Sequence, residues 1–405
     1  MIGRQRLSEG LPTPLKVLHI LGSLDRGGAE MRLIQTLRAL PSGSVETHIL
    51  LLAGRTGDMG SEAGELGAFL HVTHLSAGLP WECWQLFGRL RPQVVHCHAH
   101  FSSGIFLLIA ALRRVPVRIA HLHSMTDVRP DRLEGRRRKA QRSVSRWLLR
   151  HFATDVVAVS RSVLDAQWPA RTTGPRAHVV YNGFPAHRSG AAPMRQCGAL
   201  GDSGGRTGGL AVTLVQLGRL DELKNQLFTV EVFAKVSAMA PGCLLQLIGR
   251  PDSDYGARVR ERVAALELGD AVVFTGVRSD AVETLLAHAS VMVHPTLVEG
   301  LPGAIIEAVA VGTPVVATDI APNREVAQHL RGVTVMPPNS TIVEWARAVL
   351  AILDQDAIDP TLRSLRAESF EDSPFSMQSH VEAMLHLWGV ASSEPRPLLG
   401  EVSLP

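Results

Sequence analysis

Two glutamates eight positions apart, Glu299 and Glu307, bracket Gly300-Leu301-Pro302-Gly303 in the segment VHPTLVEGLPGAIIEAVAVGTPVVATD (293–319). A strand pattern ends near His294 and a helix pattern starts near Gly303. A helix entered through such a loop offers unpaired N–H groups and a positive dipole, a seat for a phosphate or a sugar hydroxyl. Glycines 300 and 303 let a ligand approach the backbone closely. Glu307, one turn into the helix, projects towards ribose hydroxyls, while Glu299 reaches from the loop. The plain alternative is a pair of surface carboxylates, Glu307 complementing the helix dipole. A second segment, LGRLDELKNQ (217–226), also follows a strand pattern. Arg219 supplies a planar fork and Lys224 a point charge, together suited to a diphosphate. A solvated loop neutralised by Asp221 and Glu222 is the competing account.

Three further segments carry weaker chemistry. GSLDRGGAE (22–30) is not G-x-G-x-x-G, so a dinucleotide fingerprint is absent, yet Gly27-Gly28 at a helix start can wrap a phosphate or admit an acceptor. On the glycines alone a tight structural turn is the better account. His96, His98 and His100 alternate at one strand end, and His121 and His123 at another. Metal sites usually add carboxylate or cysteine ligands at defined spacing, and no such set is visible, so no metal is expected. Asp252-Ser253-Asp254 is a D-x-D triplet in a loop, where two solvated aspartates are commonplace. Residues 129–150 hold nine Lys/Arg against two acids, interleaved with Val144, Trp147, Leu148 and Leu149. A helix there is basic and amphipathic, fit for an anionic membrane surface or simply for solvent. Nucleic acid is not expected as a partner, because stacking aromatics are scarce.

The elements that must position these residues alternate between strand and helix patterns, the sign of parallel α/β sheets. Strand patterns fall at 16–21, 48–53, 94–98, 117–121, 156–160 and 178–181, with a helix at 29–40. Residues 186–210 break the pattern with Gly, Ser, Arg and Ala. Strand patterns resume at 212–217, 244–248, 272–274, 291–294 and 315–317, with helices at 226–239, 281–288, 304–311, 344–353 and 376–388. At 405 residues the chain suits two such domains. The expected division is a Rossmann-like domain at 1–190, a second at 191–373, a helix at 374–390 crossing back to the first, and a frayed tail at 391–405. The halves differ in charge: residues 1–200 carry 26 Lys/Arg against 13 Asp/Glu, residues 201–405 carry 15 against 25. The basic half suits anionic substrates or membranes. Four cysteines without C-x-x-C spacing, and apolar runs too short to span a bilayer, suit a cytoplasmic protein, at most peripheral on the inner membrane face.

Together these motifs resemble the retaining glycosyltransferases of family four, a nucleotide-sugar family with the two-domain glycosyltransferase-B fold. The E-x7-E pair and its continuation AVGTPVVAT match that family's signature, and GRLDELKNQ closely matches its G-R-x-x-x-x-K-N-Q motif. VVAVSRSV (156–163) and VVYNGF (179–184) look like its first-domain ending. The likeness spans about residues 16–390, and 185–210 fits least. Gly249-Arg250-Pro251 departs from the commoner Gly-x-Gly of the base pocket. The resemblance implies two Rossmann-like domains facing across a cleft, a nucleotide-diphosphate sugar of UDP or GDP type as co-substrate, and a polysaccharide, lipopolysaccharide or lipid-linked oligosaccharide acceptor. It implies no cofactor and no metal. It places the donor pyrophosphate on Arg219 and Lys224, beside Gly27, Gly28 and the loop Gly300, Leu301, Pro302 and Gly303. It assigns the ribose to Glu307 and the sugar to Glu299 and a histidine, here His123, with His121 one register step away. A nucleotide-sugar epimerase or hydrolase on the same fold, or a non-catalytic binding protein, are the rival readings. Intact Glu299, Glu307 and Lys224 weigh against the last.

Overall fold

The computed structural model describes residues 14–99, 102–125, 136–168, 174–186, 212–250, 253–278 and 280–390. The expected boundary at 190/191, the tail at 391–405, Asp252, His100 and residues 129–135 of the basic segment lie outside them. The chain forms two compact units, residues 1–185 with 374–405, and residues 186–373.

In the first unit the elements run β1 (Leu15–Leu21), α1 (Gly28–Ala39), β2 (Val45–Leu51), α2 (Gly60–Glu65), β3 (Phe69–Val72), α3 (Leu79–Leu90), β4 (Val94–Cys97), α4 (Ser103–Leu112), β5 (Val117–Leu122), α5 (Arg136–Phe152), β6 (Asp155–Ala158), α6 (Arg161–Gln167) and β7 (Arg176–Val179). The strands pair in parallel in the order β3-β2-β1-β4-β5-β6-β7. β4 and β6 are buried along their whole length. Helices on both faces require such continuously apolar central strands, which is why these segments read as runs rather than alternations. The edge strand β3 leaves Phe69 and Val72 exposed, so its pattern is the faintest and the sequence reading passes over it.

The second unit repeats the scheme. It contains β8 (Thr213–Leu217), α7 (Gln226–Met239), β9 (Leu244–Ile248), α8 (Asp254–Ala265), β10 (Val272–Gly276), a π-helical turn (Ala281–Leu286), β11 (Val291–His294), α9 (Gly303–Ala310), β12 (Val315–Thr318), α10 (Ala321–Ala327), β13 (Val333–Met336), α11 (Ile342–Ile358) and α12 (Leu362–Glu371). Its sheet is also parallel, in the order β10-β9-β8-β11-β12-β13. The π turn stands where the pattern suggests an α-helix at 281–288. Ser253, the middle of the D-x-D triplet, caps α8 by accepting from the Gly256 N–H at 3.0 Å, so the triplet's second half is a helix start.

The last helix, α13 (Met377–Trp388), belongs to the first unit. Val381, Met384, Leu385 and Trp388 close a core with Val17, Val94, Ile119 and Val157. His380 anchors it by donating from Nδ1 to the Tyr181 carbonyl at 2.7 Å. Among the described residues no helix is long and apolar enough to cross a membrane.

Candidate functional site

Each sheet grows in both directions from one strand, β1 in the first and β8 in the second. Strand order therefore reverses between β1 and β4 and between β8 and β11. Ligands of parallel α/β sheets bind outside the carboxyl ends at such reversals. The motif loops sit there: Gly27-Gly28 follows β1, Arg219 to Lys224 follow β8, and Glu299 follows β11.

In the second unit the two loops are stitched together. The carbonyl of Leu223 accepts from the Leu297 N–H at 2.8 Å and from the Thr296 hydroxyl at 3.1 Å. Lys224 is held by its backbone: its N–H donates to the Asp221 carboxylate at 3.0 Å, and its carbonyl accepts from the Gln216 amide at 2.6 Å. Its stem passes Gly218, where an added Cβ would lie 3.6 Å away. The ammonium thereby reaches Oε1 of Glu299. The same oxygen accepts from Nε2 of the fully buried His294, at 3.1 Å. Burial alone would raise the Glu299 pKa. The His294 hydrogen bond and the Lys224 charge outweigh it and hold that pKa at about 2. Burial lowers the pKa of His294, which is thus neutral and donates from Nε2. Both partners occupy Oε1, and Oε2 is the atom left to receive a ligand.

Arg219 is largely exposed and pairs with the Asp221 carboxylate at 3.3 Å. Glu222 pairs instead with Arg258 at 3.0 Å. The neutralisation by Asp221 and Glu222 that a solvated loop would give is thus realised for Arg219 but not for Lys224. α9 starts at Gly303 with no side chain capping its N-terminus, and Glu307 lies half-buried one turn along. Pro302 is buried, and Leu301 and Gly303 are partly exposed. Behind the site, Gly249 packs on Gly218, an added Cβ falling 2.0 Å from the Gly218 carbonyl oxygen.

The family model described as "Glycosyl transferases group 1" matches residues 211–355, and that described as "Glycosyltransferase Family 4" matches residues 26–188. The chain belongs to the family-four glycosyltransferases. EpsF of Bacillus subtilis (strain 168), a putative glycosyltransferase, is 24% identical over 391 residues, 94% of this chain and 97% of that protein. The capsular polysaccharide biosynthesis glycosyltransferase CapH of Staphylococcus aureus is 25% identical over 320 residues, 78% of this chain and 85% of CapH. Among solved structures, Anabaena Alr3699/HepE in complex with UDP matches with a TM-score of 0.76 at 19% identity, over 92% of this chain and 99% of that one. The fold is accordingly glycosyltransferase-B, two parallel-sheet α/β units.

The other candidates of this glycosyltransferase lie in the first unit. Gly27 precedes α1, and an added Cβ there would fall 2.3 Å from Oε2 of Glu30, so its bareness makes room for that carboxylate. Gly28 faces open space. His121, the penultimate residue of β5, is buried, and His123 lies just beyond the strand, partly exposed. The structure joins the two histidine pairs of the sequence and adds His19 to them, with no carboxylate or cysteine in either crowded triple among the described residues. Register places His19 of β1 beside His96 of β4, and β4 lies beside β5, so five imidazoles share one face. Nitrogens of His19, His96 and His98, and of His98, His121 and His123, lie within 4.8 Å of one another. The sequence reading missed His19 and His294, since each is a lone histidine in an apolar strand and only pairing across strands reveals its partners.

Proposed function

We propose that the protein transfers a sugar from a uridine-type nucleoside diphosphate to a growing polysaccharide or lipid-linked glycan, with retention at the anomeric carbon and without a metal. The observation that carries the reading is the convergence of Lys224 and His294 on one oxygen of Glu299, at the strand-order reversal where a phosphate ligand belongs. Support for the donor comes from the UDP complex of Alr3699/HepE, and support for the acceptor class from CapH.

In this reading Arg219, Lys224 and the uncapped start of α9 stabilise charge on the departing diphosphate, the largest contribution in such reactions. Glu307 grips the ribose. Glu299, held ionised, orients the sugar through Oε2, and in the first unit His123 is the candidate for a sugar contact. The anomeric carbon passes through an oxocarbenium-like state. Exposed Val144 and Trp147 on the basic helix α5 suit contact with an anionic membrane surface carrying a lipid-linked acceptor.

A thermal-shift screen with UDP, GDP and ADP sugars tests the donor, since a specific ligand raises apparent stability by mass action. Stabilisation by UDP sugars is expected, and Glu307→Ala should abolish transfer while leaving a folded protein. Full transfer after that change refutes the assignment.

A further inference from the structure

Hydrogen-bond donors decide the protonation pattern of the histidine layer. An indole nitrogen can only donate. Trp388, at the end of α13, points Nε1–H at Nδ1 of His96, 3.2 Å away. Nδ1 of His96 must therefore be an acceptor without a proton. Burial drives the pKa of His96 well below 6.5, so its ring is neutral and its single proton sits on Nε2. That nitrogen lies 3.0 Å from Nδ1 of His121. Nδ1 of His121 must accept in turn. His121 is held neutral by the same burial, and its proton is forced onto Nε2. Nε2 of His121 is buried and has no hydrogen-bond partner among the described residues.

We propose that Trp388 and His96 are positioning residues that lock His121 as an Nε2–H donor, reserved for an oxygen of the donor sugar. The inference rests on the glycosyltransferase reading for its ligand, but not for its tautomers. Three features of the geometry support it. The relay is buried throughout, so water does not compete for the protons. His121 is the penultimate residue of β5, near the carboxyl edge where ligands of such sheets sit. Its ring stacks on that of His123 at 4.2 Å between centroids, which puts both imidazoles at one place. The same proton count bears on metals. Neither His96 nor His121 retains a lone pair for an ion, and each of the two crowded triples contains one of them. The layer is thus built to pass hydrogen-bond polarity from a helix to a ligand rather than to hold an ion.

The test is made on the full chain in two arms. Long-range 1H–15N spectra of ring-labelled histidine, assigned with single His→Gln variants, read the tautomers at rest. His96 and His121 should both be Nε2–H in the wild type. Trp388→Phe keeps a ring in the core but removes the indole donor, and should populate the Nδ1–H form of both. An Nδ1–H tautomer of His121 in the wild type, or stoichiometric zinc bound through His96 or His121, overturns the proposal. In the second arm UDP and UDP-glucose are titrated against both proteins. Trp388→Phe should weaken UDP-glucose roughly tenfold, the worth of one hydrogen bond, and leave UDP unchanged, which also reports an intact second unit. Equal affinity for UDP-glucose in the two proteins overturns the link to the sugar. Failure of the wild type to bind either ligand sinks the donor assignment instead, and leaves the tautomers standing.

Discussion

Glu299→Gln removes a titration while keeping the shape of the side chain, and it isolates the interaction at the centre of the site. The folded-state pKa of Glu299 is about 2, against 4.5 for an unperturbed glutamate, and the side chain is only 11% exposed. A pKa depressed on folding contributes stability that is fully present above pH 4.5 and is lost as pH falls through the folded value. Each pH unit within that window is worth about 1.4 kcal/mol, so about 2 kcal/mol disappears between pH 4.5 and pH 3. Urea unfolding of both proteins at pH 6, 4.5, 4 and 3 gives the free-energy difference between them at each pH, and other titrating groups cancel. That difference should be constant from pH 6 to about 5, then shift by about 2 kcal/mol in favour of the glutamine variant by pH 3. A difference flat to within about 0.5 kcal/mol would mean that His294 and Lys224 do not hold the carboxylate ionised, and the reasoning fails with it.

The two cations should separate in stability and agree in function. Arg219→Ala should change unfolding free energy by less than about 0.5 kcal/mol, because its ion pair is exposed, whereas Lys224→Ala should cost about 2 kcal/mol by leaving a buried carboxylate with one partner. Both should weaken UDP binding in calorimetry, and unchanged affinity in either removes that residue from the site. Gly249→Ala places a Cβ against the Gly218 carbonyl at a φ of +152°, and should destabilise by about 2 kcal/mol or more in urea unfolding. A neutral effect would refute the close approach of the two loops. Burial pushes the Cys83 thiol up to about 12 and Cys97 to about 11. Both should resist a disulfide reagent at pH 8 until the protein is unfolded, and rapid labelling of either, read by mass spectrometry, contradicts their burial.

The motif loops were legible because strand, turn and helix are local matters. Burial on both faces makes β11 an apolar run, Gly and Pro end it, and α9 follows at once, so Glu299 and Glu307 could be assigned to one loop and one helix. Five of the six strands of the second sheet were read nearly to the residue for the same reason, β9 and β11 with the expected limits, whereas the edge strand β13 was missed. β3 escaped because an edge strand with exposed Phe69 and Val72 lacks that signature. Local pattern also gave the donor types at Arg219 and Lys224, but not their fates. Only pairing of β8 with β11 brings position 224 to position 299, and leaves Arg219 outside with Asp221. The histidine layer is the extreme case. Five imidazoles from three strands meet because parallel register aligns residues nearly eighty positions apart, and α13 returns a tryptophan to them from 292 positions away. Sequence spacing carries no trace of such neighbours, since helical crossovers set the separation between strands and the sheet erases it. The chain therefore declared its chemistry in its loops, while the fold alone chose which groups share a proton.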